Sequence, residues 1–284
     1  MQASRSAKPS TKAAARPVAG KPKPGSGTRP PPPRRSFGWL LLIGAVAAAG
    51  FVAFALPASL TLRFLPPDIQ ASDPSGTLWH GSFAQLNVRG HAAGAVEWRL
   101  HPLSLLTGTV SADVHWVKQS FIADAIVDVS RQRLTAHNVK GGGALADVTD
   151  AGIVRGWNAT VDIAIEDYGI ADQKVTAAAG SITVNHLSSK QYGGADLGDF
   201  ELQFDPDSVH PDGTASATVR DLRGLIQLNG SLNIAPAQNL ATLSGTIKER
   251  GEPPPELRRA LNDLVQMRGR DRQGQIPVDI EFTL

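Results

Sequence analysis

The sequence has no cysteine, and only two tyrosines and two methionines among its 284 residues. Without thiols there is no disulfide, no thiolate metal site and no cysteine nucleophile. An oxidising compartment stays open, because disulfides are common there but not obligatory. The histidines (His80, His91, His101, His115, His137, His186 and His210) form no H-x-x-x-H or H-E-x-x-H pair, so no metal site is expected and each is read as structural or surface. A G-x-S-x-G elbow, a Walker A loop and a dinucleotide fingerprint are all missing, which leaves no catalytic or cofactor-binding motif. Asp and Glu are frequent enough to meet by chance in a fold. An enzyme with dispersed carboxylates is therefore a third reading, behind two non-enzymatic ones.

Acidic residues are also missing from residues 1–36, where nine Lys and Arg lie among Pro, Ala, Ser and Gly. With almost nothing apolar to bury, that arm is expected to be a disordered basic cytoplasmic tail. The rest of the chain holds 19 basic and 26 acidic groups, so the whole-chain pI near 9.0 reports the tail. A nucleic-acid partner is not expected.

Phe37 to Leu56 has no charged residue. Twenty residues at about 1.5 Å each span about 30 Å, the hydrocarbon thickness of a bilayer. Ten of them are Leu, Ile, Val or Phe. Phe37 and Trp39 sit beside the basic run, where aromatic rings suit the interface. A single transmembrane helix over 37–56 is expected, in the inner membrane with the N-terminus cytoplasmic and residues 57–284 periplasmic. Ala53-Phe54-Ala55 fits a signal-peptidase pattern, but the apolar stretch is too long for a cleaved leader and the basic region before it far too long. Pro57 to Pro74 reads as a tether to the bilayer.

From Val96 the apolar residues recur with period two. Val96, Trp98 and Leu100 alternate with Glu97 and Arg99; Val110 to Trp116, Val161 to Ile165, Phe200 to Phe204 and Val278 to Leu284 repeat the pattern. Turn signals are read at Gly141-Gly142-Gly143, Gly193-Gly194, Asp205-Pro206-Asp207, Pro211-Asp212-Gly213 and Asn229-Gly230. The expected fold is mainly β: the transmembrane helix, then a curved antiparallel sheet with one covered face and one or two short helices. The helices are placed at Pro102–Thr107 and at Pro255–Arg268, where Leu257, Leu261, Leu264 and Val265 share a face. Trp79, Trp98, Trp116 and Trp157 are read as core fillers.

Ser75 to Gly81 (SGTLWHG) and Val96 to Gly108 (VEWRLHPLSLLTG) resemble the opening of the type II secretion system protein N family, also called general secretion pathway protein N. Leu197 to Phe204 and Ala260 to Leu284 resemble its closing segments. The resemblance implies an accessory inner-membrane component of the machine that exports folded proteins across the outer membrane, with other secretion proteins as partners and no catalytic residues. The motif residues Gly76, Trp79, Gly81, Trp98, His101 and Pro102 are expected to be structural. The resemblance also carries a distant similarity to AsmA-like grooved β proteins, and with it a lipid ligand or envelope-maintenance role as the alternative.

The expected topology has a direct test. A reporter that is active only outside the cytosol, fused after Leu284, is expected to be active, and a cytosol-only reporter at the same place inactive; the reverse pair of results would overturn it.

Overall fold

The computed structural model describes residues 55–63, 65–148 and 156–283. The basic tail and nearly all of the expected membrane span lie outside the described residues. Among the described residues no helix is long and apolar enough to cross a membrane. All of them belong to one compact unit, Ala48–Leu284.

The described chain forms thirteen strands: β1 (Ile69–Gly76), β2 (His80–Val88), β3 (His91–Leu100), β4 (Val110–Lys118), β5 (Phe121–Val129), β6 (Arg133–Ala144), β7 (Trp157–Ala171), β8 (Lys174–Ser189), β9 (Asp196–Phe204), β10 (Ala215–Gly224), β11 (Ile226–Ala235), β12 (Leu240–Glu249) and β13 (Ile276–Thr283). Two α-helices accompany them, α1 (Leu145–Val148) and α2 (Pro255–Arg268). The strands make one sheet in chain order, β1 through β13, and each neighbouring pair is antiparallel. Such a meander needs only short connections. The β7–β8 connection is two residues, Asp172 and Gln173, with φ of 49° and 62°. Positive φ at both positions matches the right-handed twist of the joined strands.

Cross-strand partners share a face, so the register sorts the side chains. One face carries Phe83, Val96, Trp98, Val114, Trp116, Ala123, Val161, Ile163, Ile182, Phe200, Leu202, Val219, Leu232, Leu243 and Ile280. The opposite face carries Glu97, Arg99, His115, Asp124, Lys140, Asp162, Thr183, Glu201, Arg220, Asn229, Thr246 and Asp279. The period-two reading is borne out across the sheet, and the polar row explains why His115 is half exposed.

Two clusters bury the apolar face of the second half. At one end, Leu257 and Leu261 of α2 close on Leu197, Phe200, Ile226 and Ile276, with Trp157 and Tyr192 packed beside them. Each fully buried aliphatic side chain there contributes about 1.5–3 kcal/mol. At the other end, Val175, Ala178, Phe204, Ala215 and Ala217 are buried together, with Val209 of the β9–β10 connection against them. The turn Pro236–Gln238 also reaches β8, although in a flat sheet three strand spacings, about 14 Å, would separate them. The sheet is bent at this end. Over the first half, rings pack on rings: Phe83 on Trp98 and Trp116 on Phe121, with centroids 4.7 and 5.1 Å apart.

The sequence reading departs from the structure at three places. Strands begin at Ile69, so the segment read as a tether already forms β1 from Ile69 to Pro74. Gly141-Gly142-Gly143 lies inside β6 and Asn229-Gly230 inside β11. These glycines serve close strand approach instead of turning. A Cβ on Gly143 would sit 2.5 Å from the Cα of Phe121 and one on Gly230 2.5 Å from the Ser244 carbonyl oxygen. Both helix readings keep their bounds, although Pro102–Thr107 is a 3-10 turn.

Both edge strands contain proline, Pro74 in β1 and Pro277 in β13. Proline fits an edge when its nitrogen faces outward. The Asp279 carbonyl, two residues on and therefore also outward, accepts from Arg268 Nη2 at 3.3 Å. The end of α2 thus blunts that edge against pairing with another chain.

Because α2 roofs the sheet through so few side chains, Leu261→Ala is expected to cost about 2–5 kcal/mol. Met267→Ala, on the same helix but 73% exposed, should stay within about 0.5 kcal/mol. Urea denaturation of the two variants tests the assignment of the buried face.

Candidate functional site

The six motif residues are scattered over 27 positions of sequence, from Gly76 to Pro102, and the fold brings them to one corner. Gly76 ends β1 and pairs with Gly81 in β2, which in turn pairs with Trp98 in β3. Gly81 must lack a side chain: a Cβ there would lie 2.6 Å from Trp98 Cζ2 and 2.7 Å from the Thr77 carbonyl oxygen. The indole of Trp98 crosses this gap and donates to the Leu78 carbonyl at 2.9 Å. Trp79 closes the β1–β2 connection, and its carbonyl accepts the Leu100 N–H at 2.7 Å.

His101 and Pro102 hold the next connection. The His101 backbone N–H donates to the Ser111 carbonyl at 2.8 Å, and its Nε2 lies 3.0 Å from Asp113 Oδ2. Pro102 opens the 3-10 turn, which Gly108 ends with φ of 77°. Inside it, Ser104 Oγ donates to the His101 carbonyl at 2.7 Å and accepts the Ser111 N–H at 3.1 Å. The motif residues therefore fix a rigid corner. What the corner presents is Leu103, Leu105 and Leu106, which are 78%, 44% and 85% exposed. The sequence reading placed a short helix over Pro102–Thr107 and assigned its leucines no role.

The polar face is stitched by His–Asp pairs that sequence spacing does not reveal, because each crosses between strands. His115 Nδ1 meets Asp124 at 2.7 Å, and His186 Nδ1 meets Asp196 at 2.9 Å. His137 bonds to Asp167 and stands 3.5 Å from Asp128. A shallow cleft of about 340 Å³ on this face is lined by His80, Glu97, Arg99, Asp113, His115 and Asp124, among others. Its groups pair across strands, which stabilises the sheet by a few tenths to about 1 kcal/mol per pair.

Among the described residues one set has ligating atoms close enough for a metal ion: His186, Asp196 and Asp199, within 4.8 Å of one another. Arg223 already supplies a cation there. Its Nε bonds to Asp199 Oδ2 and its Nη2 lies 3.4 Å from His186 Nε2. The second Asp199 oxygen accepts the His186 backbone N–H at 2.9 Å. A metal ion would have to displace the guanidinium from the same oxygens, so the set reads as a satisfied ionic network.

Comparison with known proteins points one way. A family model described as type II secretion system (T2SS), protein N, matches residues 67–279, from the start of β1 into β13. A type II secretion system protein N of Vibrio cholerae serotype O1 is 35% identical over 89 residues, which are 31% of this chain and 35% of that protein. One from Aeromonas hydrophila is 41% identical over 64 residues, 22% of this chain and 25% of the relative. The aligned stretches thus span about a third and a quarter of these curated relatives. No solved structure matches.

The ionic network carries a pH signature. The Arg223 guanidinium, then the His186 N–H, holds the Asp199 carboxyl below the usual carboxylate range. The unfolded chain takes up that proton more readily, so the contribution is complete above about pH 4 and is lost as pH falls through the lowered folded value. Asp199→Asn is expected to flatten the acid limb of the urea midpoint plotted against pH; an unaltered limb would refute the assignment.

Proposed function

The chain belongs to the type II secretion system protein N family, and on that premise we propose that it is a non-enzymatic, inner-membrane accessory component of the type II secretion machinery. In this reading residues 37–56 anchor it and the β domain stands in the periplasm. There it supports export across the outer membrane by contacts with other secretion proteins. The observation that carries the reading is the extent of the family match, residues 67–279, which takes in β1 to β12, the start of β13 and the motif corner rather than one local segment. The uncharged run and the basic residues before it support the membrane placement, and the relatives' names support the secretion system.

The form of the domain suits a contact module. A single sheet with its apolar face turned inward offers a long polar face and an exposed leucine corner. Its edges are blunted by Pro74, Pro277 and Arg268, so the contacts with other secretion proteins are made by side chains on the polar face. The lipid-groove alternative requires an apolar face left open from end to end. Helix α2 and the β9–β10 connection cover that face over β9 to β13, which favours the first reading.

Deleting the gene at its native locus is expected to leave type II substrates trapped in the periplasm, with export restored by the full chain. A cell whose exported proteins and secretion complex are unchanged by the deletion would count decisively against the assignment. Crosslinking from intact membranes with the anchor retained would separate secretion partners from lipid-pathway partners.

A further inference from the structure

The strands alternate in direction, so every second connection lies at the same end of the sheet. One end gathers Thr77–Trp79, His101–Thr109, Ser130–Gln132, Asp172–Gln173, Asp205–Thr214 and Pro236–Asn239. The described chain also enters at this end. Leu56 and Pro57 lie along the β1–β2 connection, with the Leu78 N–H donating to the Leu56 carbonyl at 2.8 Å and Pro57 bridging to Thr77. The residues before Ala55 therefore join the domain at this end of the sheet.

That end is divided in composition. The connections of the first half, 77–79, 101–109 and 130–132, contain no acidic residue. They present exposed Leu103, Leu105 and Leu106 together with exposed Arg131. Beside them, Val110, Val129 and Leu134 are cross-strand partners at the ends of β4, β5 and β6, and are 40%, 41% and 44% exposed. Arg133 follows, also exposed, and Leu62 of the entering segment is 38% exposed. The second half is the reverse: its connections carry Asp172, Asp205, Asp207 and Asp212.

We propose that the corner formed by Leu103, Leu105 and Leu106, flanked by Arg131 and Arg133, rests in the interface of the anionic bilayer that holds the anchor. This inference deepens the membrane-anchored reading and rests on it. Exposed leucines on a rigid turn gain by entering the headgroup–acyl boundary, and arginines beside them meet lipid phosphates. Three exposed leucines on one turn, beside half-exposed Val110, Val129 and Leu134, form an apolar patch of the kind that marks an interaction surface. The chain's own entry point brings a lipid surface to it at high effective concentration, and connections without acid at this corner, where Asp113 is paired with His101, face less repulsion than the acidic connections of the other half. The domain is then held tilted, with β1 to β6 toward the membrane and the acidic connections of β7 to β12 raised from it. The motif residues, by fixing the turn, become positioning residues for membrane contact.

The native chain lacks cysteine, so single labels are clean. The full chain carrying Leu106→Cys, Asp207→Cys or Gln191→Cys is labelled with an environment-sensitive nitrobenzoxadiazole probe. Each is reconstituted into vesicles of phosphatidylethanolamine and phosphatidylglycerol. The Leu106 probe is expected to be blue-shifted and quenched several-fold more strongly by brominated lipid than the probes at Asp207, at the same end, and Gln191, at the opposite end. Replacing Arg131 and Arg133 by Gln should weaken the lipid quenching without changing flotation. Protein that floats with the vesicles but keeps a water-like Leu106 probe, freely quenched by iodide, would overturn this inference and leave the anchor standing. Protein that does not float would overturn both. A water-like probe in pure vesicles combined with photocrosslinking of Leu106 to a polypeptide in intact envelopes would assign the corner to a protein partner instead.

Discussion

Among the described residues, a sheet with one apolar face has only one helix of any length to cover it, and must hide that face largely with itself. The rest of the architecture answers to this constraint. The meander makes it feasible, because every strand is bonded to its sequence neighbours and the ribbon is free to bend as a whole. Bending brings Val175, Ala178, Ala215 and Ala217 together at one end of the second half, where small side chains let the backbone close in. At the other end the bend is insufficient, and Leu257 and Leu261 of α2 fill the remaining space. The glycines inside β6 and β11 belong to the same solution, since they remove side chains where neighbouring backbones come closest.

An open sheet also has two edges, and here each is managed by local chemistry. Proline removes a donor from each edge strand, and Arg268 occupies an outward carbonyl of β13. Strand addition by a partner is thereby disfavoured at the two places where it would ordinarily occur. What remains for recognition is the polar face, with its cross-strand His–Asp pairs, a surface that the ladder holds in shape.

Much of the fold is legible in the residues. Alternation at Val96–Leu100, Val110–Trp116 and Phe200–Phe204 specifies half-buried strands whatever their partners. The spacing of Leu257, Leu261, Leu264 and Val265, closed by Gly269, specifies α2 to the residue. The motif segments identify the family. Other features are silent. Asp172-Gln173 makes a tight turn without glycine or proline, held by the strands on either side, so no turn signal marks it. Gly141-Gly142-Gly143 carries a strong turn signal and is strand, because packing against Phe121 and Ala123 outweighs local preference. β1 and β2 hide behind Asp73, Pro74 and Gly76, which break the alternation.

What the sequence by itself determined is therefore the class of structure, the bounds of the C-terminal helix, the family, and the chemistry available on each strand. Tertiary structure alone decided the order of the strands, the meeting of Gly76, Trp79, Gly81, Trp98, His101 and Pro102 in one corner, and the pairing of His101, His115, His137 and His186 with aspartates distant in sequence. The reason is that a period of two is a property of one strand, whereas hydrogen-bonded partners and shared ends are properties of pairs far apart in the chain. Local preference says which face of a strand looks inward; only the folded ladder says what stands beside it.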